Sequence, residues 1–175
     1  MTQKISQRLL WAVETLAVQA DDLILEIGCG HGIAVSLVCK MLTSGTGTVT
    51  AIDRSQTMID MATKRNQSYV AAGKASFRCA ALEEADFGKE RFNKIFAIRV
   101  NFFIQQPTRQ LAILKQLLTP GGALYLFYDP PIATQTPPFV NDATQSLQAH
   151  GFAVKEVLSK ELQAVQGVCI VAEVV

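Results

Sequence analysis

The sequence predicts an α/β fold in which a mostly parallel sheet is covered by helices on both faces. Short apolar segments alternate with segments of helical periodicity from residue 22 onward, a pattern typical of parallel sheets. A glycine-rich turn, residues 28–32, follows the first apolar segment. The last two apolar segments are separated by only about nine residues, too few for a crossover to a parallel neighbour. We therefore expect seven strands, the last two forming an antiparallel pair.

The first half of the chain predicts three helices and four strands. The apolar positions of residues 1–20 recur at helical spacing and are interrupted by Arg8 and Glu14, which favours an amphipathic helix over a signal peptide. Ser55 can cap the third helix, which carries apolar side chains on one face. The predicted helices are residues 1–20, 31–43 and 55–72, and the predicted strands are residues 22–28, 48–53, 75–80 and 92–100.

The second half predicts two helices and three strands, and the length predicts one domain over residues 1–175. Pro120-Gly121-Gly122 is expected to end the first of these helices, and His150-Gly151 the second. A proline-rich loop, residues 130–138, separates them. The predicted helices are residues 108–118 and 139–149, and the predicted strands are residues 123–129, 152–158 and 168–175.

The composition excludes several classes of protein. Hydrophobic residues make up 49% and charged residues 18% of the chain, which excludes a disordered protein. The 16 basic residues nearly balance the 15 acidic ones, so no nucleic-acid partner is expected. No apolar run reaches membrane-spanning length. The 4 cysteines lie far apart without metal-ligand spacing, which indicates reduced thiols in a cytoplasmic protein and no metal site.

Three glycines predict a ligand site after the first strand, since ligands of such sheets bind beyond the carboxyl ends of strands. Gly28 permits a tight turn, and Gly30 lets a ligand approach the backbone. Gly32 is expected to let the following helix pack close to the strand. The free N–H groups and positive dipole end of that helix favour an anionic group by about 0.3–1 kcal/mol. A glycine cluster alone also fits a tight turn without a ligand.

Asp53 ends the second predicted strand. A carboxylate at this spacing can accept hydrogen bonds from the two hydroxyls of a ribose. It can also act as a cap for the helix that begins near Ser55. The glycine turn and Asp53 together favour a nucleoside-containing ligand.

From residue 22 to the end, the chain resembles the class I S-adenosylmethionine-dependent methyltransferases. Residues 26–32, EIGCGHG, match that family's acidic-x-Gly-x-Gly-x-Gly motif, and residues 53–58, DRSQTM, resemble its second motif. Residues 118–122, LTPGG, and Gly151-Phe152 resemble its turns before the fifth and sixth strands. The resemblance implies a doubly wound, three-layer, seven-stranded sheet in the order 3-2-1-4-5-7-6, with only the last strand antiparallel.

The resemblance also implies a cofactor, S-adenosylmethionine, and roles for individual residues. Glu26 should face the amino group of the cofactor, Gly28 and Gly30 its methionine part, and Asp53 its ribose. Met58 either packs near the adenine or belongs to the helix core. The candidate cofactor-binding residues are Glu26, Gly28, Cys29, Gly30, Gly32, Asp53, Arg54, Met58, Ala81, Leu82 and Arg99.

Some positions depart from the family pattern or stay open. Ala80 stands where many relatives carry an aspartate, so the backbone of Ala81 and Leu82 is expected to contact the adenine instead. Arg99 either touches cofactor or acceptor, or is a solvent-facing strand end. His31 is interpreted as a loop residue rather than a base, and Asp129 is a candidate for the acceptor side of the pocket.

The implied reaction is methyl transfer by in-line displacement to a small-molecule acceptor that no motif identifies. The substrate-side segments are the first helix, the segment after Val100 and residues 130–138. One alternative is a nicotinamide-dependent oxidoreductase, but Ile33 occupies the place of that pattern's third glycine and no Tyr-x-x-x-Lys pair is present. The other alternative is a non-catalytic protein that binds S-adenosylmethionine.

Overall fold

The computed structural model describes residues 5–100, 107–130, 132–163 and 165–175. Its seven strands form one sheet in the order β3-β2-β1-β4-β5-β7-β6. β7 is antiparallel to both of its neighbours, and the other pairings are parallel. The expected strand order and the single antiparallel strand are therefore confirmed.

The helices and strands alternate as the sequence predicts. The strands are β1 Leu23–Ile27, β2 Thr48–Asp53, β3 Ala75–Cys79, β4 Phe92–Ile98, β5 Leu118–Tyr128, β6 Phe152–Leu162 and β7 Val165–Val174. The helices are α1 Gln7–Leu16, α2 Ile33–Leu42, α3 Gln56–Arg65, α4 Gln67–Ala71, α5 Pro107–Leu117 and α6 Thr136–Ala149, with a 3₁₀ turn at Ala133–Gln135. No described helix has the length and apolar character needed to cross a membrane.

Two apolar clusters cover the two faces of the sheet. Ile24 of β1 packs into a cluster with residues of α1 and α2, whereas its neighbour Leu25 packs into a cluster with residues of α5 and α6. Successive side chains of a strand point to opposite faces, so this alternation shows that the sheet is the middle of three layers. Both Ile24 and Leu25 are fully buried.

The prediction of one helix over residues 55–72 is wrong, because the helix is interrupted at Asn66. The Asn66 amide donates hydrogen bonds to the carbonyl oxygens of Ala62, at 2.9 Å, and Gly32, at 3.0 Å. An asparagine side chain that competes for backbone partners favours a helix end over a helix interior. The result is two helices, α3 and α4, joined at a buried residue.

Three boundaries in the second half also differ from prediction. β5 begins at Leu118, so Pro120-Gly121-Gly122 lies within the strand instead of forming a separate turn. α6 begins at Thr136, earlier than expected, with proline in its first turn, where a missing N–H costs nothing. β6 and β7 extend towards each other to Leu162 and Val165, so two residues separate them instead of the expected nine, and the first of these, Gln163, has φ 56°.

Parts of the expected substrate-side segments lie outside the described residues. These parts are residues 1–4 of the predicted first helix, residues 101–106 after Val100, and residue 131 of the proline-rich loop. Of the described parts of these segments, residues 5, 6, 8 and 9 of the predicted first helix line the site described next, and residues 132–138 do not.

Candidate functional site

A cleft of about 380 Å³ opens at the carboxyl end of β1. β1 pairs with β2 on one side and β4 on the other, so this is where the strand order reverses and where ligands of doubly wound sheets bind. Arg8 and Leu9 of α1 form part of the wall of the cleft. The residues that line the cleft are Ile5, Ser6, Arg8, Leu9, Glu26, Gly28, Cys29, Gly30, His31, Ile33, Ala34, Arg65, Ile98 and Arg99.

The glycine turn is fixed at its start and open at its centre. The backbone N–H groups of Gly28 and Cys29 both donate to the Ile52 carbonyl oxygen, at 2.8 and 3.1 Å. Gly28 has φ +74°, and a Cβ there would come within 2.6 Å of Val100 Cγ2. Gly30 has φ +50°, but a Cβ there would meet nothing within 4 Å. The turn therefore leaves space at Gly30 for another molecule to approach the backbone.

Gly32 has a different role from the predicted packing of α2 on the strand. A Cβ at Gly32 would come within 2.8 Å of both Ala62 Cβ and Asn66 Nδ2, so Gly32 lets the turn pack against α3. Ser36 Oγ donates to Asn66 Oδ1 at 2.7 Å, which completes a buried polar contact between α2 and Asn66. Sequence reasoning missed Asn66, because a single asparagine within a helical pattern gives no signal of a long-range contact.

Asp53 is tied to the glycine turn. Its Oδ2 accepts a 2.9 Å hydrogen bond from the Gly30 N–H, and its Oδ1 accepts one of 2.9 Å from the Ser55 N–H. The helix cap is Ser55, whose Oγ accepts from the Met58 N–H. A carboxylate oxygen can accept more than one hydrogen bond, and Asp53 is only partly buried. Asp53 can thus position the turn and still accept hydrogen bonds from a ligand.

Glu26 is the buried acid of the cleft. Its residue exposure is 3%, and its Oε2 is buried without a hydrogen-bond partner among the described residues. Burial, reinforced by the nearby charge of Asp53, raises the pKa of Glu26 from 4.5 to about 8. An unsatisfied buried carboxyl oxygen is costly. A cationic N–H donor placed in the cleft would satisfy this oxygen and favour its ionised form.

Cys29 and His31 are the other residues of the glycine turn whose side chains could react. Burial raises the pKa of the Cys29 thiol, and the nearby Glu26 and Asp53 add to the shift, so the reactive thiolate is disfavoured. His31 is exposed, and its carbonyl oxygen accepts a 3.0 Å hydrogen bond from Arg65 Nε. This placement agrees with the interpretation of His31 as a loop residue.

A second cavity, of about 610 Å³, lies beyond Asp53. Arg54, Cys79, Ala80, Ala81, Glu83, Glu84 and Arg109 line it. Of the remaining candidate residues, Leu82 is buried in the apolar core and Met58 is half-buried on α3. Seven candidate residues therefore line one of the two cavities, and Gly32, Asp53, Met58 and Leu82 line neither. Asp53 lies between the glycine turn, to which it is hydrogen-bonded, and its chain neighbour Arg54.

Arg99 lines the cleft and is paired, not simply exposed to solvent. It follows β4, and its Nε and Nη2 donate to Asp129 Oδ1 and Oδ2 at 2.6 and 2.5 Å. Arg8 of α1 reaches the same carboxylate, with Nη1 2.9 Å from Asp129 Oδ2. Sequence reasoning did not assign Arg8 to the site, because the approach of α1 to the end of β5 is a long-range contact.

The hydrogen-bond acceptors in and beside the cleft fit the methionine and ribose parts of S-adenosylmethionine. Glu26 offers an unpaired oxygen to an ammonium group, Gly30 leaves room at the backbone, and Asp53 offers acceptors to hydroxyls. Among the described residues, no three His, Cys, Asp or Glu side chains are grouped as metal ligands would be.

Comparison with known proteins identifies the family. A family described as "Methyltransferase domain" matches residues 24–122, more than half of the 175 residues. The chain belongs to this family. The matched region contains the glycine turn, Asp53 and Arg99 but ends before Asp129.

Two individual relatives share 28–31% sequence identity with part of this chain. An uncharacterized protein from Synechococcus sp. is 31% identical over 104 residues, which is 59% of this chain and 24% of that protein. The malonyl-[acyl-carrier protein] O-methyltransferase of Priestia megaterium is 28% identical over 123 residues, 70% of this chain and 43% of that enzyme. The chain therefore spans less than half the length of these two relatives.

The fold is shared with solved structures at low sequence identity. A SAM-dependent methyltransferase from Aquifex aeolicus superposes with a TM-score of 0.75 at 17% identity, covering 97% of this chain and 90% of that one. This likeness establishes the Rossmann-like methyltransferase architecture for the chain.

Proposed function

We propose that this chain binds S-adenosylmethionine and transfers its methyl group to a small-molecule acceptor. The observation that carries the proposal is the unpaired, buried Oε2 of Glu26 beside an open glycine turn. Membership of the methyltransferase-domain family and the strand order support it. Fold alone does not determine function, so the proposal depends on the residues of the cleft.

The residues that would hold the cofactor are those that the family resemblance assigns to each part of it. Glu26 would hold the amino group, and Gly28 and Gly30 would line the methionine part. Asp53 would accept hydrogen bonds from the ribose hydroxyls. The cavity beyond Asp53 would take the adenine, bordered by Arg54 and by the backbone around Ala81, which lines that cavity. Cys29, Gly32, Met58, Leu82 and Arg99 are the other candidates, either for contact with the cofactor or for support of the residues that hold it.

When bound, S-adenosylmethionine supplies an already activated methyl group, so the protein need not provide a nucleophile. The residues of this chain would bind and orient the two reactants and exclude water beneath α1. Holding reactants in line can supply about 7–11 kcal/mol of a barrier. A general base typically adds about 10²–10⁴-fold. The raised pKa of Cys29 argues against a covalent role for that thiol.

The size and cover of the cleft support a small acceptor. Arg8 and Leu9 of α1 line the cleft, whose volume is about 380 Å³, so the cofactor and the acceptor would share a space of small-molecule size. The overall net charge of +1 also gives no support for a nucleic-acid acceptor. The Priestia relative methylates an acyl group on a carrier protein, according to its name; for this chain a free small molecule is proposed.

Calorimetry with S-adenosylhomocysteine tests the proposal without knowledge of the acceptor. We expect a micromolar dissociation constant, about −8 kcal/mol, and no heat with reduced nicotinamide dinucleotide. Binding of the dinucleotide in place of S-adenosylhomocysteine would favour the oxidoreductase alternative. Absence of S-adenosylhomocysteine binding at millimolar concentration would overturn the proposal. Turnover with labelled S-adenosylmethionine and an acceptor library then separates an enzyme from a non-catalytic binder.

A further inference from the structure

Two arginines and one aspartate form a cluster at the edge of the cleft. Arg99 and Asp129 follow the adjacent parallel strands β4 and β5, whose last partners are Ile98 and Phe127. The Arg99 guanidinium pairs with both oxygens of Asp129, and Arg8 joins from α1 at 2.9 Å. Three elements distant in sequence thus bring two positive charges to one carboxylate.

The backbone at Arg99 is in an uncommon conformation that directs the side chain. Arg99 has φ 58°, in the left-handed region that residues other than glycine rarely adopt. Its N–H donates to the Phe127 carbonyl oxygen at 2.9 Å, which continues the β4–β5 pairing by one residue. Such local strain persists where surrounding contacts hold it and is concentrated at functional sites.

The cluster carries unbalanced positive charge. Although burial raises the pKa of Asp129, the hydrogen bonds from Arg99 and Arg8 outweigh it and lower that pKa. Asp129 is therefore ionised and neutralises one of the two guanidinium groups. The Arg8 side chain is 26% exposed and that of Asp129 only 3%. Arg8 Nε is buried without a hydrogen-bond partner among the described residues, so one N–H of the cluster lacks an acceptor.

A third cavity, of about 210 Å³, lies at this cluster. It is lined by Ser6, Gln7, Arg8, Arg99, Asp129, Leu162, Gln163 and Val165. Ser6, Arg8 and Arg99 also line the cleft beneath α1. The two spaces share both arginines, so a molecule held in the third cavity would be adjacent to the cleft. The turn between β6 and β7 provides an apolar wall through Leu162 and Val165.

We propose that Arg8 and Arg99 form the recognition site for a carboxylate group of the methyl acceptor. This inference rests on the proposed function and narrows its acceptor class to small organic acids. The planar guanidinium group matches a carboxylate through paired hydrogen bonds. The unpaired Arg8 Nε and the surplus positive charge supply the donor and the attraction, while Leu162 and Val165 contact the apolar part of the acid.

A purely structural role for the cluster predicts different behaviour. α1 is also held by the edge-on contact of Trp11 with Phe127, whose ring centroids are 5.6 Å apart. A second ion pair, Lys160 with Glu14 at 3.2 Å, ties α1 to β6. If the arginine cluster only anchored α1, then removing the charge of Arg8 or that of Asp129 would change the affinity for an anion in the same direction. If it recognises an anion, the two changes would have opposite effects.

The test uses equilibrium binding to the full chain saturated with S-adenosylhomocysteine at low ionic strength. The probes are propionate, hexanoate and benzoate, each compared with its primary amide, together with inorganic phosphate. We expect at least one carboxylate to bind about tenfold or more tightly than its amide, as for a hydrogen bond to a charged group. Arg8→Gln should remove this preference, and Arg8→Lys should retain part of it.

Two further variants separate recognition from anchoring. Asp129→Asn removes the competing carboxylate and should strengthen carboxylate binding, whereas anchoring alone predicts the loss seen with Arg8→Gln. Lys160→Gln loosens α1 at its other ion pair and should leave the binding of every probe unchanged. Fluorescence of Trp11, the single tryptophan, reports whether α1 stays in place, and thermal unfolding reports whether each variant is folded.

The outcomes distinguish this inference from the proposed function. Normal S-adenosylhomocysteine binding with no preference of any acid over its amide would overturn the recognition site alone. Equal losses in folded Arg8→Gln and Asp129→Asn would also overturn it in favour of anchoring. Preference for phosphate over every carboxylate would overturn the carboxylate assignment. Absence of S-adenosylhomocysteine binding would instead overturn the proposed function.

Discussion

The backbone N–H of Gly30 donates a 2.9 Å hydrogen bond to Asp53 Oδ2, joining the glycine turn to the end of β2. The same carboxylate accepts a hydrogen bond from the Ser55 N–H through Oδ1. Asp53 thus fixes the conformation of the turn from one side while its remaining lone pairs face partly exposed space. A single carboxylate can therefore shape the cleft before any ligand binds and contact a ligand afterwards.

Asp53→Ala should weaken binding of S-adenosylhomocysteine by about 1.5–3 kcal/mol, which is about 10- to 150-fold. The change removes a charged acceptor of ribose hydroxyls and releases the Gly30 N–H. Calorimetry measures the effect. Asp60→Ala is the matched control, because Asp60 is exposed on α3 and its carboxylate accepts a hydrogen bond from Gln56 of the same helix. Parent-like affinity in Asp53→Ala would place the nucleoside elsewhere.

Gly30→Val should abolish S-adenosylhomocysteine binding while the protein remains folded. A Cβ at Gly30 meets nothing within 4 Å, so the side chain would enter the space proposed for the ligand. The positive φ of +50° should cost about 1–3 kcal/mol of stability. Thermal unfolding and calorimetry together measure both effects.

Gly73→Val is the control for backbone strain at Gly30. Gly73 has φ +69° and open space around its Cβ position, and it follows α4, away from the cleft. It should lose stability similarly to Gly30→Val but bind S-adenosylhomocysteine like the parent. Retained binding in Gly30→Val, or lost binding in folded Gly73→Val, would contradict the placement of the ligand at the turn.

The strand order could be predicted from sequence because local patterns and a family resemblance both point to it. Apolar segments such as β1 and β2 are bounded by glycine or aspartate, which gives clear ends. The break at Asn66 could not be predicted in this way, because the competing hydrogen bond goes to Gly32, 34 residues away. The length of β6 was also underestimated, since its outer part is rich in charged residues such as Lys160 and Glu161.

The residues around the glycine turn could be predicted from the sequence, whereas the contact between Arg8 and Asp129 could not. Glu26, Gly30 and Asp53 belong to local motifs of fixed spacing, and all three lie at the cleft or its turn. Arg8 and Asp129 are separated by 121 residues, and no local pattern connects them. The packing of α1 over the ends of β4 and β5 brings them together. The sequence offered Asp129 as a candidate for the acceptor side, but its pairing with Arg8 required the structure.

Cys79 should be the cysteine that an alkylating reagent modifies in the native protein. Cys79 is exposed, whereas Cys29, Cys39 and Cys169 are buried, and burial raises the pKa of each buried thiol. Mass spectrometry should find one adduct of iodoacetamide in the native state and four after unfolding in urea. Rapid modification of the buried thiols, or of folded Cys79→Ser, would contradict the described packing.

S-adenosylhomocysteine should slow the alkylation of Cys79. Cys79 lines the cavity of about 610 Å³ with Arg54 and Ala81, where the adenine is proposed to bind. The rate of adduct formation with and without the ligand measures this protection. Methionine at the same concentration, which lacks the adenosine part, is the control. An unchanged rate at saturating S-adenosylhomocysteine would exclude this cavity as the adenine site.

Glu26 should make both stability and cofactor affinity depend on pH. Its pKa is raised from 4.5 to about 8 by burial, so below 4.5 it is protonated in the folded and unfolded protein alike. As the pH rises from 4.5 towards 8, only the unfolded chain loses this proton, and stability falls. Glu26→Gln, which stays neutral, should remove this part of the decline in melting temperature between pH 5 and pH 8.

In the free protein, burial favours the protonated form of Glu26. Binding of S-adenosylhomocysteine should favour the ionised form instead, because the ammonium group of the ligand pairs with the carboxylate. Below pH 8 the ligand must therefore displace a proton, and affinity should rise with pH by at most about tenfold per unit before levelling off near 8. Calorimetry in phosphate and in Tris, whose ionisation enthalpies differ, counts the released proton directly. Glu26→Gln should bind more weakly at pH 8, with no proton release and a flat pH profile. A parent profile that is already flat between pH 6 and pH 8 would show that Glu26 does not hold the amino group.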